Sequence, residues 1–271
     1  MPETMIITGA SDGIGAAAAR ALAASGHTVV IVGRSAEKTK RVADSLGAEY
    51  FVADFSKLSE VRRLAAELRA QYPRIDVLAN NAGGIFGDRT LTEDGHELTL
   101  QVNHLAPFLL TTLLMDRLVE SRARVINTSS VANLSGNIDI DDLHLAAQFS
   151  AGRAYSNAKL DNILFTKELD RRFGADGIST AAFHPGVVAS NFASESTSPL
   201  RVIYRSILRR TLISNEKGAD TLVWLATTTP GTDWTAGEYY IKRKPGRTNR
   251  QADDAQLASA LWERSAEMVA T

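Results

Sequence analysis

Met5-Ile6-Ile7-Thr8-Gly9-Ala10-Ser11-Asp12-Gly13-Ile14-Gly15 stands near the start of the chain, and the alanine-rich run Ala16 to Ala24 follows at once. An apolar strand run, a glycine turn and a helical run in that order make a βα unit whose turn suits a dinucleotide. The glycines permit a tight turn and close backbone approach. The helix start offers free N–H groups and partial positive charge to a pyrophosphate. Gly9, Ser11, Asp12, Gly13, Ile14 and Gly15 are therefore candidate cofactor contacts, against the plainer reading of a simple tight turn.

The same rhythm continues outward. Strand-like runs recur at Thr28-Val29-Val30-Ile31-Val32, Tyr50-Phe51-Val52, Ile75-Asp76-Val77-Leu78, Arg124-Val125-Ile126-Asn127 and Ser179-Thr180-Ala181-Ala182-Phe183. Near-continuous apolar strands alternating with amphipathic helices predict an α/β fold, a Rossmann-type doubly wound parallel sheet in three layers. Leu58, Val61, Leu64, Ala65 and Leu68 carry helical spacing, as do Leu160, Ile163, Leu164, Lys167 and Leu169, and Gly26, Gly47 and Gly174 mark helix ends. There is no internal repeat or long linker, so residues 1–271 read as a single dinucleotide-binding and catalytic domain. Two stretches break the rhythm, about 131–154 and 187–214. Each is too long for a routine connection and is expected to form a lid or pocket wall.

An acidic residue for the NAD ribose is expected at the end of the second strand, yet that place reads Val32-Gly33-Arg34-Ser35. Arginine without an acid suits a 2′-phosphate, which favours NADP(H) over NAD(H), unless Arg34 is a solvated loop charge. Asp54 and Phe55 after the third strand fall near the adenine, and Asn80, Asn81, Ala82 and Gly83 after the fourth fall near the ribose. Taken singly, these loop residues are also ordinary turn-formers. The fifth strand leads to Thr128-Ser129-Ser130, and 25 residues past Ser130 comes Tyr155-Ser156-Asn157-Ala158-Lys159. The i, i+4 spacing puts Tyr155 and Lys159 on one helix face, where an ammonium favours phenolate. Tyr155 can then exchange a proton with a carbonyl or alcohol oxygen that a Ser130 hydroxyl also holds.

Together these residues resemble the single-domain branch of the short-chain dehydrogenase/reductase family, over Met5 to about Ile241. Thr8 to Gly15 is similar to its TGxxxGxG turn, Asn80 to Gly83 to its NNAG segment, Tyr155 to Lys159 to its YxxxK pair, and Pro185-Gly186 to its PG segment. Val102 to Thr111, Tyr155 to Phe165 and His184 to Val188 are most similar to the retinol-dehydrogenase-like group. So is the longer segment Val131 to Ala154 with Asp141-Asp142-Leu143. The resemblance implies a catalytic set of Asn103, Ser130, Tyr155 and Lys159. In it Tyr155 is the acid/base, Ser130 rather than Ser129 orients the substrate oxygen, and Lys159 holds the nicotinamide ribose and tunes Tyr155. Asn103 supports a water leading protons to Lys159. It further implies cofactor contacts from Pro185, Gly186, Val188 and Ser190, the last replacing the usual threonine. Assembly through the long helices as a homodimer or homotetramer is implied, with a monomer left open by the insertion.

Composition narrows the function from the other side. Thirty basic and 31 acidic residues leave a net charge of −1, without the footprint of a nucleic-acid binder, and there is no cysteine for a disulfide or thiolate metal site. The richest apolar stretch, Leu105 to Met115, is interrupted by Pro107, Thr111 and Thr112, so no integral membrane segment is expected. A strand run already under way at Met5 leaves no room for a signal peptide, and a cytoplasmic protein is expected. Leu134, Phe149, Phe192 and Leu200 in the two long segments point to an apolar ketone, aldehyde or secondary alcohol as substrate.

Other features are weaker. Arg201, Arg205 and Arg209 beside Leu200, Ile203, Ile207 and Leu208 fit a lid helix, a membrane or partner surface, or a solvated face. Asp139, Asp141 and Asp142 read as solvated rather than metal-binding, and His184 as a strand-end residue rather than a base. The tail from Asp253 to Met268 reads as a closing helix on this domain or on another subunit. A non-catalytic NADP(H)-binding sensor and a nucleotide-sugar epimerase or dehydratase are the alternatives. The first tends to lose the tyrosine, and the second usually carries a larger C-terminal domain.

Overall fold

The computed structural model describes residues 2–187 and 213–270. The expected lid segment 187–214, with Val188, Ser190, Phe192, Leu200 and the arginine run, therefore lies almost wholly outside the described residues.

Eight strands form one sheet in the order β3-β2-β1-β4-β5-β6-β7-β8. They are β1 (Thr4–Thr8), β2 (Thr28–Gly33), β3 (Glu49–Val52), β4 (Val77–Asn80), β5 (Arg124–Thr128), β6 (Ser179–His184), β7 (Glu238–Ile241) and β8 (Lys244–Pro245). All neighbours pair in parallel except β7 with β8. The first six strands are those expected, with β4 displaced toward the C-terminal side. Asp76 still pairs with Thr4, its backbone N–H bonding the Thr4 carbonyl at 2.9 Å and its carboxylate accepting from the Thr4 N–H at 2.9 Å. Strands β7 and β8 are unannounced in the sequence because each is short and flanked by lysines and arginine.

The three layers follow from strand alternation. Ile6, Val30, Leu78 and Val125 face one side and pack with α3 (Leu58–Gln71), α4 (Leu98–Leu113) and α6 (Ala151–Phe173). Met5, Ile7, Ile31 and Phe183 face the other and pack with α1 (Gly13–Ala24), α2 (Ala36–Leu46) and α7 (Asn215–Thr227). The periodic leucines of α3 are all buried, and Gly47 ends α2 in the left-handed conformation at φ 62°. A short α5 (Met115–Ser121) bridges to β5. The tail forms α8 (Ala255–Met268), capped by the Asp254 carboxylate, and lies on its own domain. Its Trp262 stacks among Phe108, Phe165 and Phe173 at centroid distances of 5.0, 5.7 and 6.1 Å. Among the described residues no single helix is long and apolar enough to cross a membrane.

Chain order reverses between β1 and β4, so the crevice at the C-terminal ends of these strands is where a doubly wound sheet takes its ligand. Helix α4 carries a π turn over Gln101–Leu105 beside that crevice, with the Ala106 N–H reaching back to the Gln101 carbonyl. Such a turn takes one backbone carbonyl out of the α ladder and recurs at functional sites.

Candidate active site

The glycine turn is built from backbone. Gly9 and Gly13 sit at φ 65° and 58°, where a side chain is strained. A Cβ on Gly9 would also stand 2.7 Å from Ala82 Cα, and one on Gly15 would stand 2.5 Å from the Gly9 carbonyl oxygen. The Thr8 hydroxyl locks the turn to the strand-four loop. It donates to the Ala79 carbonyl at 3.2 Å and accepts from the N–H groups of Asn81 and Ala82 at 3.0 Å each. The Asn81 amide donates to the Thr8 carbonyl at 3.0 Å, so this side chain ties strand to turn. Asp12 caps α1 by accepting from the Gly13 N–H at 2.7 Å, and Ser11 packs against Gly33. Ile14 is partly buried against the α1 side of the sheet.

Arg34 follows β2 directly and is exposed, one residue before Ser35 caps α2. Lys38, in the first turn of α2, holds its Nζ 4.0 Å from an Asp12 carboxylate oxygen, bringing a second cation to this corner. The Asp54 carboxylate accepts from the Ser56 N–H and hydroxyl at 3.0 and 2.8 Å. Two positions differ from the expected placement. The Phe55 ring is buried in the core with Leu58 and Val61, because an apolar ring gains more there than at a polar rim. Asn80 lies beneath the crevice, donating to Thr111 Oγ1 at 3.0 Å and Asn127 Oδ1 at 2.9 Å. Pro185 and Gly186 follow β6 at its crevice end, with Gly186 at φ 90° against Ile213.

Tyr155 and Lys159 come together as their spacing predicts. The Lys159 ammonium nitrogen lies 5.4 Å from the Tyr155 ring centroid and donates to the Thr128 carbonyl at 3.2 Å. Asn162, the next residue on that helix face, donates to the same carbonyl at 3.1 Å. Lys159 is fully buried, and burial pushes its pKa down to about 7. Sequence spacing anticipated a charged ammonium. Burial opposes that charge even with the Thr128 carbonyl as acceptor, and an anion bound nearby would restore it.

The two serines separate clearly. Ser129 donates its hydroxyl to the Lys159 backbone carbonyl at 2.6 Å and is 1% exposed, while Ser130 is 9% exposed at the end of β5 and accepts from the Ala132 N–H at 3.2 Å. Asn103, on the π turn, donates to the Gly84 and Thr99 carbonyls at 3.0 and 2.9 Å and accepts from the Gly84 N–H at 3.2 Å. A Cβ on Gly83 would meet Asn103 Oδ1 at 2.5 Å and Lys159 Nζ at 3.3 Å, so the glycine leaves that space open. The open glycine turn, the exposed cation at the end of β2 and the buried lysine fit a dinucleotide.

One residue near Tyr155 has no motif to announce it. Tyr239 on β7 is 1% exposed, and burial, then nearby Tyr155, holds its phenol well above the usual tyrosine range. Only the pairing of β7 with β6 brings it here. His184 ends β6, and burial lowers its pKa to about 4. The Asp139 and Asp142 carboxylates cap loop N–H groups of Asp141, Ala146 and Ala147.

Known proteins place this arrangement. A family model described as short chain dehydrogenase matches residues 3–200. A Streptomyces sp. (strain C5) protein, provisionally named a daunorubicin C-13 ketoreductase, is 45% identical, the alignment covering 98% of this chain and 92% of the relative. Human retinol dehydrogenase 12 is 37% identical over 98% of this chain and 86% of its own. A crystal structure of an uncharacterised Mycobacterium Paratuberculosis protein superposes with a TM-score of 0.80 at 33% identity, covering 100% of this chain and 96% of that one. The chain belongs to the short-chain dehydrogenase/reductase family, in its retinol-dehydrogenase-like group, and is an NAD(P)-binding oxidoreductase of CH–OH and C=O groups.

Proposed function

We propose that this protein is an NADP(H)-dependent oxidoreductase of apolar ketones, aldehydes or secondary alcohols, with Tyr155 as acid/base. The observation that carries the reading is the Tyr155 ring at 5.4 Å from the Lys159 nitrogen, with Ser130 two residues past the end of β5, its neighbour Ser129 being engaged by the Lys159 carbonyl. When bound, the nicotinamide supplies hydride in reduction and accepts it in oxidation. Tyr155 gives its phenolic proton to the substrate oxygen in reduction and takes one in oxidation. The Ser130 hydroxyl holds that oxygen by a hydrogen bond, and Lys159, titrating near 7, restores the tyrosine's proton. Asn103 fixes the Gly84 backbone beside them.

An apolar substrate fits the rim. Val131 and Leu134 are 40% and 42% exposed just past Ser130, and Phe86 lies against Gly84 on the opposite loop. The name of the Streptomyces relative, a ketoreductase, agrees with this class. For the cofactor, the exposed cations Arg34 and Lys38 beside the starts of α1 and α2 suit a 2′-phosphate, and no acid stands at the end of β2 to hold a ribose hydroxyl.

The test follows oxidation of NADPH and NADH with a panel of apolar ketones and aldehydes, then reduction of NADP+ with the matching alcohols. Faster turnover with NADPH is expected. Tyr155→Phe should lower kcat by ~10³-fold while NADPH binding survives. Turnover that is equal in this variant removes the acid/base assignment, and tighter use of NADH removes the Arg34 argument.

A further inference from the structure

The wall that follows the catalytic serine is held almost entirely by side-chain amides. Residues 131–138 form a 3-10 turn (Val131–Ser135) and an extended stretch, with no strand partner for their backbone groups. Buried backbone polar groups must find partners somewhere. Asn133, with no exposed surface, donates its amide to the Ser130 carbonyl at 2.7 Å, and its own backbone N–H joins at 3.0 Å. Its Oδ1 accepts from the Asn249 N–H at 3.0 Å, across 116 positions of chain. Asn249 in turn donates to the Gly136 and Leu134 carbonyls at 2.8 and 3.3 Å. Gln251 pairs both backbone groups of Ile138, at 2.8 and 3.0 Å. On the other side Asn157, two residues past Tyr155, pairs both backbone groups of Asn137 at 2.9 and 3.0 Å.

We propose that Asn133 is a positioning residue for Ser130, locked in place from the C-terminal segment by Asn249. An amide presents a donor and an acceptor at once, which neither a carboxylate nor an aliphatic side chain does. Asn133 uses the donor on the backbone of Ser130 and the acceptor on Asn249. The Ala132 N–H that points at Ser130 Oγ lies inside this bracket, so holding the turn holds the hydroxyl. Asn157 ties the same wall to the helix that carries Tyr155. The oxygen-holding and proton-transferring groups are thereby set at a common distance. This inference rests on the proposed role of Ser130 as the group that holds the substrate oxygen.

The experiment combines a double-mutant cycle with hydrogen exchange on the full chain. Asn133→Ala is expected to lower kcat by ~10-fold, the equivalent of one buried hydrogen bond, with KM for NADPH unchanged. In a Ser130→Ala background the same substitution should change kcat by less than ~2-fold, because the group being positioned is gone. Equal losses in both backgrounds mean a merely structural role and overturn the proposal. Amide exchange across 130–138 should accelerate in Asn133→Ala while α6 stays protected, and unchanged exchange also overturns it. Should Asn133→Ala fail to fold, Asn249→Ala keeps the backbone N–H to Asn133 but removes the two bonds its amide donates to the Leu134 and Gly136 carbonyls and the one its Oδ1 accepts from the Gln251 N–H, and is expected to give the same pattern at ~3-fold. Wild-type protein that turns over no carbonyl or alcohol defeats the proposed function. Unchanged exchange in Asn133→Ala, whatever the turnover, defeats the hold of Asn133 on 130–138 separately.

Discussion

The two halves of the crevice are made in opposite ways. The cofactor half is local backbone: Gly9 and Gly13 take left-handed conformations within one turn, and the Thr8 hydroxyl ties that turn to Asn81 and Ala82. The substrate half is held by side chains reaching across the chain, with Asn133, Asn157, Asn249 and Gln251 satisfying the backbone of 130–138. The first half therefore has no room for an added atom, whereas the second depends on keeping donors and acceptors in register.

Substitutions on either side sharpen this contrast. The largest separable effect is expected in the substrate half. Ser130→Ala should lower kcat by ~10²-fold with the NADPH dissociation constant unmoved, since one oriented hydroxyl is lost and the turn is untouched. A parallel loss of cofactor affinity would show that the halves are not independent. In the cofactor half, Gly9→Ala places a Cβ 2.7 Å from Ala82 Cα at φ 65°. Affinity for NADPH should fall by ~30-fold, read by fluorescence titration, from the strain of a side chain in that region. Wild-type affinity in this variant would mean the turn relaxes freely. Arg34→Ala should weaken NADPH by ~10-fold and leave NADH unchanged, the loss of one charge-assisted contact. Equal weakening of both cofactors would assign Arg34 to the fold instead.

A pH dependence at the seam between the halves is read on stability instead of on rate or affinity. Lys159 releases its proton near pH 7 when folded, against 10.5 ordinarily, because it is buried. Between these values the unfolded chain binds more protons than the folded one, so stability of the cofactor-free protein rises with pH across that window. Below about 7 both states are protonated and this contribution is flat. Denaturant unfolding from pH 6.5 to 9.5 should be flat up to about 7 and then show a rise that Lys159→Met lacks. An identical slope in the variant would place the titration elsewhere.

Legibility in the sequence follows the same division. The glycine turn, Tyr155 with Lys159, and the six expected strands are short-range patterns, and all are present, with β4 alone shifted two residues along the chain. Their places at strand ends assign Phe55 and Asn80 to the crevice, yet burial of a ring and a pairing with Asn127 and Thr111 draw them beneath it. The choice of Ser130 over Ser129 came only from family resemblance. The structure supplies a physical ground, since the Ser129 hydroxyl is engaged by the Lys159 carbonyl. Tyr239, Lys38 and Asn133 carry no motif, and no local pattern announces them.

By itself the sequence determined the doubly wound class, the dinucleotide turn and the tyrosine–lysine pair, because periodicity, glycine placement and i, i+4 spacing act over a few residues. Tertiary structure alone decided that the tail helix closes on its own domain through Trp262, that β7 brings Tyr239 beside Tyr155, and that Asn249 reaches the wall behind Ser130. Those contacts join residues roughly a hundred positions apart. They depend on which surfaces remain to be covered once the sheet has formed, and a local pattern holds no record of that.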